Sequence, residues 1–246
     1  MAFDTSFLSA SLAHYFHDNP APSLIGEGNS RTVWKVYEQS SQSFKALARF
    51  RGPDLSEISD RFTAKQKVAY QEYETQKILS RIKQEIKVLQ HLKGSPHIIQ
   101  LDAVVHDGAL PAFVTPYYEG GDLNKALEQG SLSTSQKTQI ALDTLMGLIE
   151  SHEKGIVIND LKPANILLTA SMNAVLADLE IALPIRDQRQ INENTYCLVQ
   201  SVFDKMFREN DGPAYEWTRS FLQTDRRNSS ISSREAFHSF KACSCR

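Results

Sequence analysis

Asp160-Leu161-Lys162-Pro163-Ala164-Asn165-Ile166-Leu167-Leu168 organises the reading of this chain. An aspartate, a lysine two positions later and an asparagine five positions later share a loop bounded by apolar strands. A carboxylate there can orient an attacking hydroxyl, an ammonium can neutralise a transferring phosphate, and an amide oxygen can ligate a hard cation. Asp178 follows the apolar run 174–177, which puts a second anionic oxygen at a strand end. Magnesium held by one or two protein oxygens together with nucleotide phosphates matches that donor set. The same residues could also form an ordinary Asp–Lys surface turn.

The stretch 158–165 resembles the catalytic loop of the eukaryotic protein kinase family, with Lys162 marking the Ser/Thr type. The resemblance runs from about residue 24 to residue 237. It implies an α+β, two-lobed fold: a small β-rich N-lobe with one regulatory helix, and a larger, mainly helical C-lobe with a shortened activation segment. It implies ATP and Mg2+ as cofactors, with Asp160 as catalytic base beside Lys162, and Asn165 and Asp178 as the metal ligands. The activity it implies is transfer of the γ-phosphate to Ser or Thr of a protein.

Other positions match by the same resemblance. Ile25-Gly26-Glu27-Gly28-Asn29-Ser30-Arg31-Thr32-Val33 is similar to the glycine-rich loop, where Gly26 and Gly28 let backbone approach phosphates and Val33 covers the adenine. Arg31 stands where the family has its third glycine; phosphate contact by the guanidinium and steric hindrance of the loop are both open. Ala46 aligns with the alanine of the third strand, and Glu85 with the helical glutamate that pairs with that strand's lysine. Phe113-Val114-Thr115-Pro116-Tyr117-Tyr118 resembles the hinge, with Thr115 as gatekeeper, Tyr117 beside the adenine and Tyr118 presenting backbone groups to the base. Asp122 matches the residue that reaches the ribose. The segment 194–198 resembles the start of the large C-lobe helix, and 221–225 and 232–237 the last helices.

Local patterning agrees with a β-rich half followed by a helical one. Strand-like runs cover 23–37, 43–51, 97–105 and 110–118, with a polar turn at 38–42. A helix is expected over 56–92, where Ile78, Ile82, Ile86, Leu89 and Lys93 trace one face before Gly94 and Pro96. Ser133 and Gln136 have capping-box spacing at the head of another helix. Short strands are expected at 156–158, 166–168 and 175–176, and helices at 196–207, 215–222 and 232–240. The expected divisions are an N-terminal arm at 1–22, an N-lobe at 23–119 with a helical insertion at 56–77, and a C-lobe at 120–246, joined at Gly120-Gly121. The insertion reads as a solvated helical extension or a docking element.

Several positions depart from the family. Aligning Ala46 puts Ala48 at the lysine position, and sliding by one puts Arg49 there; the spacing from Val33 favours Ala48. Lys45, an odd number of residues away, faces the other side of a regular strand. Arg49 could supply charge, but its planar fork differs from an ammonium. Asp178-Leu179-Glu180 replaces Asp-Phe-Gly, which removes a permissive glycine and adds a carboxylate near the metal. Ile158-Asn159 replaces His-Arg, Asn194 replaces the long helix's anchoring aspartate, and no Ala-Pro-Glu follows. The arginine that pairs with that glutamate is also missing, with Ser229 or Ser230 near its place. These linked losses point to release from activation-loop control. They keep two alternatives in view: a pseudokinase acting as a nucleotide-binding or scaffold module, and a small-molecule kinase.

Composition sets the outer bounds. The 246 residues are 41% hydrophobic and 23% charged, values of an ordinary globular chain. Net charge is −2, with 27 basic and 29 acidic residues, which offers no footprint for nucleic acid. No apolar run reaches membrane-spanning length. Three cysteines suit a reducing interior, and Cys243 and Cys245 read as a frayed tail because zinc wants a second pair. The expected setting is cytoplasmic or nuclear, with ATP and a protein substrate or binding partner, and neither nucleic acid nor membrane.

Overall fold

A computed structural model describes residues 20–28, 30–53, 62–107, 110–223 and 231–244. The arm at 1–19, Asn29, the insertion's residues 56–61, Thr224 and Asp225, Ser229 and Ser230, and Cys245 lie outside the described residues. Two compact units are present, one within Met1–Lys87 and Gln100–Tyr117, the other within Val88–Ile99 and Tyr118–Arg246. The chain has an N-terminal antiparallel sheet and a helical C-terminal part, an α+β fold.

The first unit is built on a five-stranded sheet of order β1-β2-β3-β5-β4, from β1 (Ser23–Glu27), β2 (Arg31–Glu38), β3 (Ser43–Phe50), β4 (Ala103–Asp107) and β5 (Leu110–Pro116). Because side chains alternate along a strand, register assigns every residue to a face. Trp34 pairs with Leu47 and Leu47 with Val114, and these join Val36, Val105, Ala112 and Ala103 in an apolar layer on one face. The opposite face carries Val33 against Ala48, Lys35 against Ala46, Ala48 against Phe113 and Ala46 against Thr115. The strand expected from residue 97 begins only at Ala103. Residues 97–99 instead exchange backbone bonds with Leu176, which donates to His97 while Ile99 donates back, each at 2.8 Å.

Helix α1 (Ala64–His91) is headed by Thr63, whose hydroxyl accepts from Gln66 N–H while the Gln66 amide accepts from Thr63 N–H. That reciprocal pair satisfies donors the first turn would leave bare. Gly94, at φ +83°, follows its end. Ile82, Glu85, Val88 and Leu89 are its buried line and Leu92, just past its end, is buried as well, while Lys93 is exposed. The N-terminal half lies open, with Val68 and Tyr73 more than half exposed.

In the second unit, β6 (Gly121–Asp122), β8 (Ile166–Leu168) and β9 (Ala174–Leu176) form one small sheet, and β7 (Ile156–Val157) with β10 (Leu183–Pro184) another. Helix α2 (Leu123–Glu128) follows β6, and α3 (Thr134–Glu153) carries the Ser133–Gln136 capping box. Gly147 of α3 is required by packing: a Cβ there would come within 2.7 Å of Leu176 Cδ1 and 2.9 Å of the His97 carbonyl oxygen. Helix α4 (Gln188–Leu198) starts earlier than the expected residue 196, because Asp187 accepts from Gln190 N–H and caps it. It runs on into a π-turn at Val199–Phe203. Helix α5 (Pro213–Leu222) and helix α6 (Ser233–Ser244) complete the unit. Phe203, Phe207, Trp217, Phe221 and Phe240 share an aromatic core there. Cys243 is part of α6 and its thiol reaches the Pro213 carbonyl, so it is not a frayed tail. No described helix is long and apolar enough to cross a membrane.

Candidate functional site

The loop between β7 and β8 brings together three of the residues singled out from the sequence. Lys162 Nζ donates to Asp160 Oδ2 at 2.5 Å. Asn165 Nδ2 donates to the same Oδ2 at 2.8 Å and to the Asp160 backbone carbonyl at 3.0 Å. With its NH2 turned to Asp160, the Asn165 amide presents its oxygen, the atom a hard cation takes. The β8–β9 hairpin adds the fourth residue: Ile166 pairs with Leu176, and Ala177 N–H donates to the Asn165 carbonyl at 2.8 Å. Asp178 follows directly, at φ +60°, a left-handed conformation that non-glycine residues seldom adopt. Such strain persists where surrounding structure imposes it, and it gathers at functional sites. Leu179 beyond it is buried. One amide and one carboxylate are a sparse donor set that fits magnesium carrying phosphate oxygens. Among the described residues, no group of three or more His, Cys, Asp or Glu could hold a metal.

Helix α4 holds this loop at two points. The Asn194 amide donates from Nδ2 to the Ile158 carbonyl at 2.5 Å, and its Oδ1 accepts from Ile158 N–H at 3.3 Å. Ser201, within the π-turn, donates to the Leu161 carbonyl. The anchoring residue counted as lost in the sequence is thus an asparagine that binds the loop backbone in both directions. Asn194 Oδ1 also accepts from His152 Nε2 at 2.9 Å, and Ser233 Oγ lies 3.0 Å from Nδ1. Burial holds the His152 pKa below the usual imidazole value, the Asn194 hydrogen bond opposing it only in part. The neutral ring therefore donates from Nε2 and accepts at Nδ1.

In the first unit, Gly26 sits across from Val33, and the β1–β2 register shifts between Leu24 and Gly26. Gly28 N–H closes the turn by donating to the Arg31 carbonyl at 2.9 Å. A Cβ at Gly26 or Gly28 would meet only ordinary contacts, at 3.6 and 3.7 Å, so the chain's own packing demands neither glycine. Ile25 is half-buried beside them on β1. Val33, Ala46, Ala48 and the buried Thr115 share one sheet face. Tyr117 follows β5, with Lys35 Nζ 4.3 Å from its ring centroid and 4.0 Å from that of Phe44. In the second unit, the Tyr118 carbonyl accepts from Gly121 N–H. Asp122 has a structural task that the sequence reading did not give it: it caps α2 by accepting from Lys125 N–H at 3.0 Å.

The third strand corrects one assignment. Register places Arg49 opposite Thr32 and Ala112, on the face away from Val33 and Ala46, so it does not share the face expected of a nucleotide-side cation. Ala48 does share that face, and it brings no charge. Lys45 also faces away and pairs with Asp102 at 2.7 Å. The cation that meets Glu85 comes from elsewhere: Arg31 Nη1 donates to Glu85 Oε1 at 3.1 Å, with the Glu85 side chain only 3% exposed. The sequence does hold a signal for this pair. Glu85 lies three residues after Ile82 and four before Leu89, within a stripe that must be buried, and a buried carboxylate calls for a cation.

Comparison with known proteins adds an independent line. Residues 21–201 match the family model for the protein kinase domain. The chain is 29% identical over 177 residues to Cell division control protein 2 homolog 3 of Trypanosoma brucei brucei, covering 71% of this chain and 50% of that protein. It is 28% identical over 186 residues to Mitosis inhibitor protein kinase wee1 of Schizosaccharomyces pombe, covering 74% of this chain and 19% of that protein. It is 33% identical over 105 residues to Serine/threonine-protein kinase PEPKR2 of Arabidopsis thaliana, 42% of this chain and 22% of that protein. The chain thus spans no more than half the length of these curated relatives.

Proposed function

The chain belongs to the protein kinase family, and on that premise we propose that it binds ATP with Mg2+ and transfers the γ-phosphate to a Ser or Thr hydroxyl of a protein. The observation that carries this reading is the Asp160–Lys162–Asn165 cluster, in which one Asp160 carboxylate oxygen accepts from both Lys162 and Asn165. Asp160 orients the attacking hydroxyl and accepts its proton, the role a carboxylate at this position can fill. Lys162 lies close enough to Asp160 to neutralise charge on the phosphoryl group as it moves. Asn165 and Asp178 would hold magnesium, which supplies charge neutralisation on the phosphate oxygens when bound. Val33, Ala46 and Thr115 give the adenine an apolar, largely small-residue face, and two glycines not needed for packing leave the backbone open to phosphates. Incubation with γ-labelled ATP and a generic protein substrate tests the reading. The wild-type protein labels that substrate or itself, and Asp160→Asn does not; equal labelling by both proteins would refute it.

A second reading is favoured by specific observations: Ala48 at the lysine position, Glu180 after Leu179, and helix α4 starting at Gln188, which leaves a short run for any activation segment. It is a module that binds nucleotide without turning it over. Nucleotide-dependent thermal stabilisation with no labelled product would support it, with a shift approaching about 2.7 kcal/mol at a hundredfold excess over Kd. Multiple turnovers would exclude it.

A further inference from the structure

A protein kinase site needs a cation beside the nucleotide phosphates, and a glutamate on the neighbouring helix to hold that cation in place. Strand β3 brings none to the relevant sheet face, since Ala48 occupies the position and register turns both Lys45 and Arg49 away. We propose that Arg31, at the start of β2, is the phosphate-binding cation of this protein, and that Glu85 is its positioning residue. The proposal rests on the nucleotide reading above and names the residue that completes it.

Arg31 pairs across the sheet with Phe50, one same-face step along from the Val33–Ala48 pair. Its guanidinium therefore rises from the face that carries Val33, Ala46 and Ala48, and Glu85 holds it at 3.1 Å. The Phe50 ring flanks it, with the guanidinium carbon 5.2 Å from the ring centroid, and Phe113 packs edge-on to Phe50 at 4.9 Å. These contacts fix the head of a side chain that would otherwise sample many rotamers. Preorganisation of that kind makes a charge effective toward phosphate.

The small residue at 48 belongs to the same arrangement. Position 48 is a diagonal same-face neighbour of Arg31, and a lysine there would compete with Arg31 for both the space and the carboxylate of Glu85. The alanine and the arginine are thus two halves of one exchange, in which the cation moves from β3 to β2. The guanidinium also has a fitting shape. Its planar fork of five donors can engage a carboxylate and a phosphate together. Gly28, bonded through its N–H to the Arg31 carbonyl, ties this cation to the turn that carries the glycines.

Equilibrium titrations with Mg·ATP and, separately, with adenosine test the proposal on full-length wild-type protein, Arg31→Ala, and the double variant Arg31→Gly with Ala48→Lys. The wild type binds both ligands. Arg31→Ala loses about tenfold or more in Mg·ATP affinity, the loss expected for one charge-assisted contact, while its adenosine affinity stays within about twofold. The double variant returns the cation to β3 and regains most of the Mg·ATP affinity, which a merely structural role for Arg31 would not produce. Retained adenosine binding shows that each variant is folded. Unchanged Mg·ATP affinity in Arg31→Ala would overturn the proposal and leave the nucleotide reading standing. Parallel loss of ATP and adenosine would also overturn it, by assigning Arg31 to the fold. A wild type that binds neither ligand would remove the nucleotide reading itself, and this proposal with it.

Discussion

His152 and Asn194 show how a single polar pair ties the loop between β7 and β8 to the core. Asn194 takes both backbone groups of Ile158 and the Nε2–H of His152, so three groups depend on one buried amide. Because burial holds the folded-state His152 pKa below its ordinary 6.5, the unfolded chain takes up this proton more readily. The stability contributed by the neutral ring is present above the unfolded pKa and is lost as pH falls toward the folded one. Both close partners of the ring, Asn194 and Ser233, are uncharged, so neither offsets this by titrating. Urea unfolding of the wild type between about pH 7 and pH 5 therefore steepens relative to His152→Gln. Identical pH slopes in the two proteins would contradict the assignment. At this scale the sequence was most informative where partners are close together. Asp160, Lys162 and Asn165 span six positions, and one loop suffices to bring them into contact. Arg31 and Glu85 lie 54 positions apart on a strand and a helix, so their meeting depends on strand register and helix phase, which local pattern does not supply.

Among the elements, helix α3 was readable from its start and its apolar face: Ser133 and Gln136 cap it, and Ile140, Ala141, Leu145, Leu148 and Ile149 are buried. What the pattern did not show is why Gly147 interrupts that face. Strand β9 and the 97–99 segment approach so closely that a methyl group would overlap Leu176 and the His97 carbonyl. Gly147→Ala gains helix propensity but forces this packing apart, with an expected net loss of about 1–3 kcal/mol in urea unfolding. A neutral or stabilising result would mean that β9 shifts freely. Helix α4 began eight residues earlier than its apolar pattern implied (Gln188 against 196), because Asp187 caps a first turn rich in polar residues. Its π-turn places Ser201 against the Leu161 carbonyl, a displacement from regular helix geometry that hydrophobic periodicity cannot reveal. The 97–99 segment misled for a related reason: its apolar residues pack, but in a bridge with Leu176 and not in the larger sheet.

At the level of the molecule, family membership was legible from one contiguous motif and its spacing to Asp178, and the α+β architecture followed from the change in patterning along the chain. Two of the departures from the family have local counterparts. Asn194 binds the loop backbone, and Arg31 meets Glu85 on the sheet face where β3 presents no cation. The run after Leu179 is shortened by the early start of α4. Under the proposed function, Asn165 and Asp178 hold magnesium on a bound nucleotide. Calorimetric titration of ATP into the wild-type protein and Asp178→Ala, each with and without magnesium, measures this directly. Binding that strengthens with magnesium in the wild type, and loses that dependence in Asp178→Ala, is the predicted result. ATP affinity that is absent, or indifferent to magnesium in the wild type, would contradict it.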